Sequence, residues 1–307
     1  MTSLRLPARL AEHRASNDPA RRHWLDRLPD VIAQLAGQWE LQLGDPFEPG
    51  GSCAWVAPAR TAGGERVALK IGWLHPEATH EVAGLRFWAG NGAVRLHASQ
   101  PLGDCVAMLL ERCEPGTMLA GLPEPQQDEI LCSLLPRLWR EPPAGHDFPS
   151  LLEMCERWAD EYEEETGASG AATGDRGAGE DSAGECRPRL DPGIERAGLE
   201  LFRALPASAD RQVLLATDLH GQNVLAAQRE PWLAIDPKPH VGDPAYDPLQ
   251  HMINCDRVVT DPLGLVARLA DLLGLDRERL RLWLFARCVQ DSPVRPQLAE
   301  VAARIAP

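Results

Sequence analysis

Lysine is nearly missing from this chain. Two of its 31 basic residues are lysines, Lys70 and Lys238, and the other 29 are arginines, so the two positions carry more information than lysines usually do. Long apolar runs are missing too: none reaches the roughly 18 uninterrupted residues of a membrane span. Met1 to Asn17 holds Arg5, Arg9, Glu12, His13 and Arg14 in place of a signal-peptide core. The eight cysteines form no C-x-x-C pair and no zinc-spaced cluster with histidine, so reduced, mostly buried thiols and a cytoplasmic location are expected. Positive charge is also short. Thirty-one Lys+Arg against 45 Asp+Glu leaves a net −14, the opposite of the basic footprint that nucleic-acid backbones require.

What is present suits a globular protein of one or two domains: 307 residues, 44% apolar and 25% charged. The charge is concentrated. Ala159 to Glu185 holds nine acidic residues and one arginine, −8 of the −14. From about 166 to 186 this segment has no apolar residue larger than Ala until Cys186, which predicts a flexible acidic insertion. Periodicity predicts a helix over Leu25–Trp39 and antiparallel strands near Leu41–Leu43, Ala54–Val56 and Val67–Ile71. A helix over Glu77–Trp88 and strands at Ala93–His97 and Cys105–Glu111 follow. Beyond Pro123 the pattern is mainly helical, interrupted by short β-runs at Gln212–Ala216, Val224–Ala226 and Trp232–Ile235. The expected fold is α+β: a small β-rich N-terminal lobe over residues 1–113 and a larger helical lobe over 114–307.

The most specific stretch places Asp218 after a β-run, Asn223 five residues later, and Asp236 after the next one. Phosphoryl transfer needs such a set: a carboxylate to orient the attacking hydroxyl and take its proton, then an amide oxygen and a second carboxylate to hold magnesium. Two strands joined by a short loop bring Asn223 and Asp236 side by side. Lys70 ends the apolar run Val67-Ala68-Leu69-Lys70-Ile71, much as the lysine of the kinase V-A-I-K element does. Its glutamate partner is sought on the following helix, at Glu77 or Glu81, with Glu81 favoured as the deeper of the two.

These residues resemble the aminoglycoside phosphotransferase family, in its streptomycin 6-kinase / hydroxyurea phosphotransferase branch. The resemblance is carried by Asp218-Leu219-His220 with Asn223-Val224-Leu225, by Ala234-Ile235-Asp236-Pro237-Lys238, and by Val241-Gly242-Asp243-Pro244-Ala245-Tyr246-Asp247. It extends upstream through Leu69-Lys70-Ile71 and downstream to Leu282–Arg287. It implies a bilobal protein-kinase-like fold using ATP and Mg2+, with Asp218 as catalytic base and Asn223 and Asp236 holding the metal. Lys70, Glu81 and Ser52 of the short Pro49-Gly50-Gly51-Ser52 loop would serve the nucleotide, with Leu110 and Arg112 in the adenine-binding hinge Met108–Cys113. The chain departs from the family at Ala216-Thr217, where His-Gly is usual, and at Gln222, where Gly is usual. Asp243 and Asp247 are read as bracing residues.

The implied activity is transfer of phosphate to a hydroxyl of a streptomycin-like aminoglycoside. Asp160, Glu164 and Asp256 are candidate partners for its cationic groups. Hydroxyurea or another small hydroxylated metabolite is the alternative acceptor, and a nucleotide-binding protein without transfer activity is a third reading. No nucleic-acid or membrane partner is expected.

Overall fold

The computed structural model describes residues 5–13, 18–75, 78–171 and 190–307, with 168–171 as backbone only. Glu77 and the acidic stretch beyond Ala171 lie outside these. The chain forms two compact units, one of Met1–Leu119 with Asn223–Lys238 and one of Ala120–Gln222 with Pro239–Pro307. The segment 223–238 thus belongs with the first unit despite its late place in sequence.

The first unit is built on an antiparallel sheet of β1 (Gln42–Leu43), β2 (Ala54–Arg60), β3 (Arg66–Trp73), β4 (Leu96–Pro101) and β5 (Cys105–Glu111), in the order β1-β2-β3-β5-β4. Helices α1 (Ala8–Glu12), α2 (Pro19–Gln38) and α3 (Glu81–Trp88) accompany it. Asp18 caps α2 by accepting from the Ala20 amide at 2.9 Å, and Pro19 suits the first helical position. The helix therefore starts six residues before the predicted start at Leu25. Side chains alternate across a strand, so Trp55, Ala57 and Ala59 of β2, Val67, Leu69 and Ile71 of β3, and Cys105, Ala107 and Leu109 of β5 form one core with Trp24, Leu28, Ile32 and Leu35 of α2. The odd-numbered positions are thereby used up. The even-numbered face of β3, with Ala68, Lys70 and Gly72, is left for other work.

The predicted strand at Ala93–His97 is displaced. β4 begins at Leu96 and carries a bulge between Leu96 and Ala98, while Ala93 bridges Ala234 in parallel. That bridge docks the antiparallel hairpin of β7 (Val224–Ala226) and β8 (Trp232–Ala234). Arg229, at the hairpin's turn, adds a clamp: it holds both oxygens of Glu111 at 2.8 and 3.0 Å and donates to the carbonyls of Gly90 and Ala93.

The second unit contains α4 (Glu124–Leu138), α5 (Leu151–Ala171), α6 (Pro192–Ala204), α7 (Leu249–Met252), α8 (Arg257–Thr260), α9 (Pro262–Leu273), α10 (Arg277–Asp291) and α11 (Gln297–Ile305). A two-stranded sheet pairs β6 (Val213–Leu215) with β9 (His240–Gly242). Helix α10 is central, with Leu280 and Trp283 to Val289 all buried. Gly198 of α6 allows the close approach of α10, since a Cβ there would lie 2.4 Å from Val289. The helix predicted to end near Glu165 continues to Ala171, and Thr166 satisfies its hydroxyl within the helix by donating to the Tyr162 carbonyl.

A buried carboxylate ties four helices together. Asp128 of α4 faces His251 of α7 at 2.8 Å and accepts from Arg257 of α8 at 2.8 Å and Arg268 of α9 at 2.7 Å. Burial opposes its ionisation, but these donors hold its carboxyl well below the ordinary aspartate value. Cys255 lies 3.5 Å from His251, which completes a His/Cys/Asp set of metal-ligand types. Two guanidinium groups on its only carboxylate disfavour a cation there, and burial pushes the thiol up to about 12. The cluster is a structural tie. Asp128→Ala is expected to lower stability by about 3 kcal/mol, read as a lower urea midpoint at unchanged slope.

Candidate active site

On the free face of β3, the Lys70 ammonium lies 2.7 and 2.8 Å from the two oxygens of Glu81 and 2.6 Å from Asp236 Oδ1. Helix α3 begins at Glu81 rather than at Glu77, so Glu81 stands in its first turn, where the helix dipole favours an acid. Depth in the helix is thus not what brings it to Lys70. Asp236 follows β8 with φ of +52°, a left-handed conformation that Asp tolerates better than most residues. Lys238 reaches the same Oδ1 at 2.6 Å. Both lysines of the chain therefore converge on one carboxylate oxygen. Burial would depress the Lys70 ammonium, but Asp236 and Glu81 outweigh it and raise its pKa. Burial likewise works against the Asp236 carboxylate, and the two lysines overcome it and hold the carboxyl well below the usual range.

Asn223 stands at the same open end of the hairpin. Val224 pairs with Ala234, and the Ile235 amide donates to the Asn223 carbonyl at 2.9 Å, which sets Asn223 and Asp236 as flanking positions. Two ammonium groups on one oxygen act as stand-ins for a cation. Hard oxygen donors on Asn223 and Asp236 are of the kind magnesium takes. The residues fit a divalent ion.

In the helical unit, Asp218 sits on the loop after β6, with His220 Nε2 at 3.7 Å from its Oδ1. The loop hangs from Asp247, which is fully buried. One Asp247 oxygen accepts from Trp139 Nε1 at 2.9 Å and the Ala216 amide at 3.2 Å, and the other from the Thr217 amide at 2.7 Å. Burial nonetheless raises the Asp247 pKa to about 6. Thr217 itself has φ of +50°, a region hostile to β-branched residues, which explains why Gly suits this place in the family. At Gly221 the loop passes so close to the second unit's own Ala120 that a Cβ would lie 2.9 Å from its Cα. Asp243 accepts from Arg279 Nε and Trp283 Nε1, both at 2.6 Å, and from the Ala245 amide at 3.0 Å. Both family aspartates brace backbone and helices.

The other sequence candidates are more dispersed. Leu110 is a buried β5 residue on the Lys70 face, and Arg112 pairs with Glu114 at 3.2 Å. Ser52 lies on the exposed turn before β2, its carbonyl accepting from Arg21 at 2.5 Å. Asp160 is engaged by Arg203 at 2.7 Å, together with Glu163. Glu164 is exposed on α5, and the Asp256 amide donates to Glu124 at 2.5 Å. A groove of about 250 Å³ between α5 and α10 is instead lined by Trp158, Glu161, Tyr162 and Glu165 on one side and Arg287 and Asp291 on the other. Sequence reasoning missed the Arg229–Glu111 clamp, for which no motif signals, and took Lys238 no further than a candidate neighbour of the phosphates beside Asp236.

A five-stranded sheet bearing a lysine–glutamate pair, followed by a mainly helical unit, is the protein-kinase-like phosphotransferase fold. The choline kinase of Streptococcus pneumoniae shares it with a TM-score of 0.56 at 10% identity, over 90% of this chain and 95% of that one. The chain belongs to the aminoglycoside/hydroxyurea antibiotic resistance kinase family, whose sequence profile matches residues 39–297, and it is thereby a phosphotransferase. It is 34% identical to a hydroxyurea phosphotransferase of Kitasatospora aureofaciens, over 97% of this chain and 82% of that protein. It is 34% identical to a streptomycin 6-kinase of Streptomyces griseus, over 94% and 90%.

Two outcomes follow for the loop. Thr217→Gly removes strain of about 1–3 kcal/mol and returns roughly 1 kcal/mol of chain entropy to the unfolded state, so a net gain of about 1 kcal/mol is expected in urea unfolding. Asp247 has a folded pKa near 6, above its unfolded value near 3.8. Its protonation therefore favours the folded state, and that contribution, about 3 kcal/mol at most, is lost as pH rises through 6. Wild type should gain stability relative to Asp247→Asn as pH falls from 7 to 4. A flat difference would remove the buried-carboxylate account.

Proposed function

We propose that the protein transfers the γ-phosphoryl group of ATP to a hydroxyl of a streptomycin-like aminoglycoside. The observation that carries the reading is the Lys70–Glu81–Asp236 arrangement at the end of the hairpin that also presents Asn223. In this reading Lys70, held protonated by Glu81, binds the nucleotide phosphates. Asn223 and Asp236 would hold Mg2+, which when bound neutralises charge on the transferring phosphoryl group. Asp218 orients the acceptor hydroxyl and takes its proton as the acceptor oxygen bonds to the γ-phosphorus. The bond to the bridging oxygen breaks, and its electron pair leaves with ADP. The backbone braces from Asp247 keep the Asp218 loop in place through this step.

Support for a cationic acceptor comes from the streptomycin 6-kinase relative and from carboxylates on α5, including Glu161 and Glu165 in the groove facing α10. The second reading, hydroxyurea as acceptor, is supported by the relative that covers 97% of this chain. Hydroxyurea is uncharged and makes no demand on those carboxylates.

The test is a magnesium-ATP consumption assay across streptomycin, other aminoglycosides, hydroxyurea and simple sugars, with the product assigned by 31P NMR. Phosphate on a streptomycin hydroxyl is the expected result, and turnover with hydroxyurea alone selects the second reading. Asp218→Asn is expected to lower kcat about a thousandfold with ATP affinity nearly unchanged. Retained turnover would dismiss Asp218 as the base.

A further inference from the structure

The proposed chemistry leaves Lys238 without a task, and the geometry around it supplies one. Asp236 Oδ1 receives two ammonium groups at 2.6 Å each. The four charged groups, Lys70, Lys238, Glu81 and Asp236, balance to zero. A divalent ion on Asp236, even one taken by the second carboxylate oxygen, would add two positive charges beside the two ammonium groups on Oδ1 and weaken their hold. The less firmly held lysine is the one placed to give way.

The two are not equally able to move. Lys70 is 6% exposed in the middle of a strand paired on both sides, and both oxygens of Glu81 hold it. Lys238 lies in the connection between β8 and β9, outside any strand or helix. Pro237 and Pro239 flank it and fix φ on either side, so its exchange of partner is a rotation of the side chain on a stiff backbone. Its terminus is a compact charge with three donors on a flexible stem, suited to changing partner. A guanidinium would instead pair with the carboxylate through two parallel bonds. The chain uses arginine at 29 of 31 basic positions and lysine at this one.

We propose that Lys238 is a catalytic residue that changes partner: it covers Asp236 in the unloaded enzyme and swings to the oxygens of the transferring phosphoryl group when nucleotide and metal arrive. This rests on the phosphotransferase reading above. In the unloaded state Lys238 competes with the metal. In the loaded state it neutralises charge developing on the phosphoryl oxygens.

The two halves predict opposite effects of one change. Mn2+ binding to the nucleotide-free protein, followed by EPR, should tighten about tenfold in Lys238→Met because a competing charge is gone. In the same variant kcat should fall about a hundredfold, with KM for ATP changed much less. Lys238→Arg keeps the charge but should weaken Mn2+ binding and also lower kcat, since the forked pair with Asp236 is harder to displace. A residue that only supports the fold would lower both properties in Lys238→Met and recover both in Lys238→Arg, and that pattern would overturn the proposal. So would unchanged kcat in both variants of an active enzyme. Asp236→Asn, which should abolish Mn2+ binding, serves as control. Wild type that binds no Mn2+ and phosphorylates none of the acceptors would overturn the proposed function, with its metal site and acceptor, and this proposal with it.

Discussion

Asp236 is the constraint on which the first unit depends. Lys70 and Glu81 are buried, and an unpaired charge on either is costly, so this pair and the more exposed Asp236 that meets Lys70 have to be in register. The sheet, α3 and the hairpin β7–β8 meet this requirement from three directions. The alternation of β3 turns Lys70 away from the α2 core, α3 delivers Glu81 in its first turn, and the hairpin delivers Asp236. The hairpin is itself secured by Arg229, whose guanidinium joins Glu111 to the carbonyls of Gly90 and Ala93. Each contact is short-range. Their combined effect is to place the charges.

The helical unit solves a related problem with one buried group. Asp247 gathers Trp139 and the amides of Ala216 and Thr217, so the loop bearing Asp218 is hung from a fixed point. This support is strong enough to hold Thr217 in a left-handed conformation that Gly would adopt freely. The departure from the usual His-Gly therefore changes the strain in the loop and leaves its path supported.

Much of this was legible from local pattern. The run Val67–Ile71 has a period of two with one lysine, so both the strand and the exceptional residue could be read directly. The spacing of Asn223 and Asp236 implied a hairpin, and the register Val224 to Ala234 sets them at its open end. Other features could not be read because they depend on partners distant in sequence. β9 has three residues next to Pro239 and exists because β6 pairs with it. Ala93 and Val94 read as a strand start, but their partner is Ala234 rather than β5. The acidic residues of α5 were visible as charge only. Which of them face Arg203 and which face the groove toward α10 depends on helix phase and on α6, and Asp160 and Glu161 go opposite ways.

The division of labour between the two kinds of cation follows the same physical line. Arginine makes the ties that fold the chain: Arg229 to Glu111, Arg257 and Arg268 to Asp128, Arg279 to Asp243, and Arg203 to Asp160 and Glu163. A planar fork with fixed donor directions suits a contact that is made once on folding and kept. In the proposed reaction the two lysines stand where charge is redistributed when phosphates arrive: Lys70 keeps its glutamate, and Lys238 exchanges one anion for another. A sequence so poor in lysine thus places both where a mobile, compact charge is worth more than a rigid one.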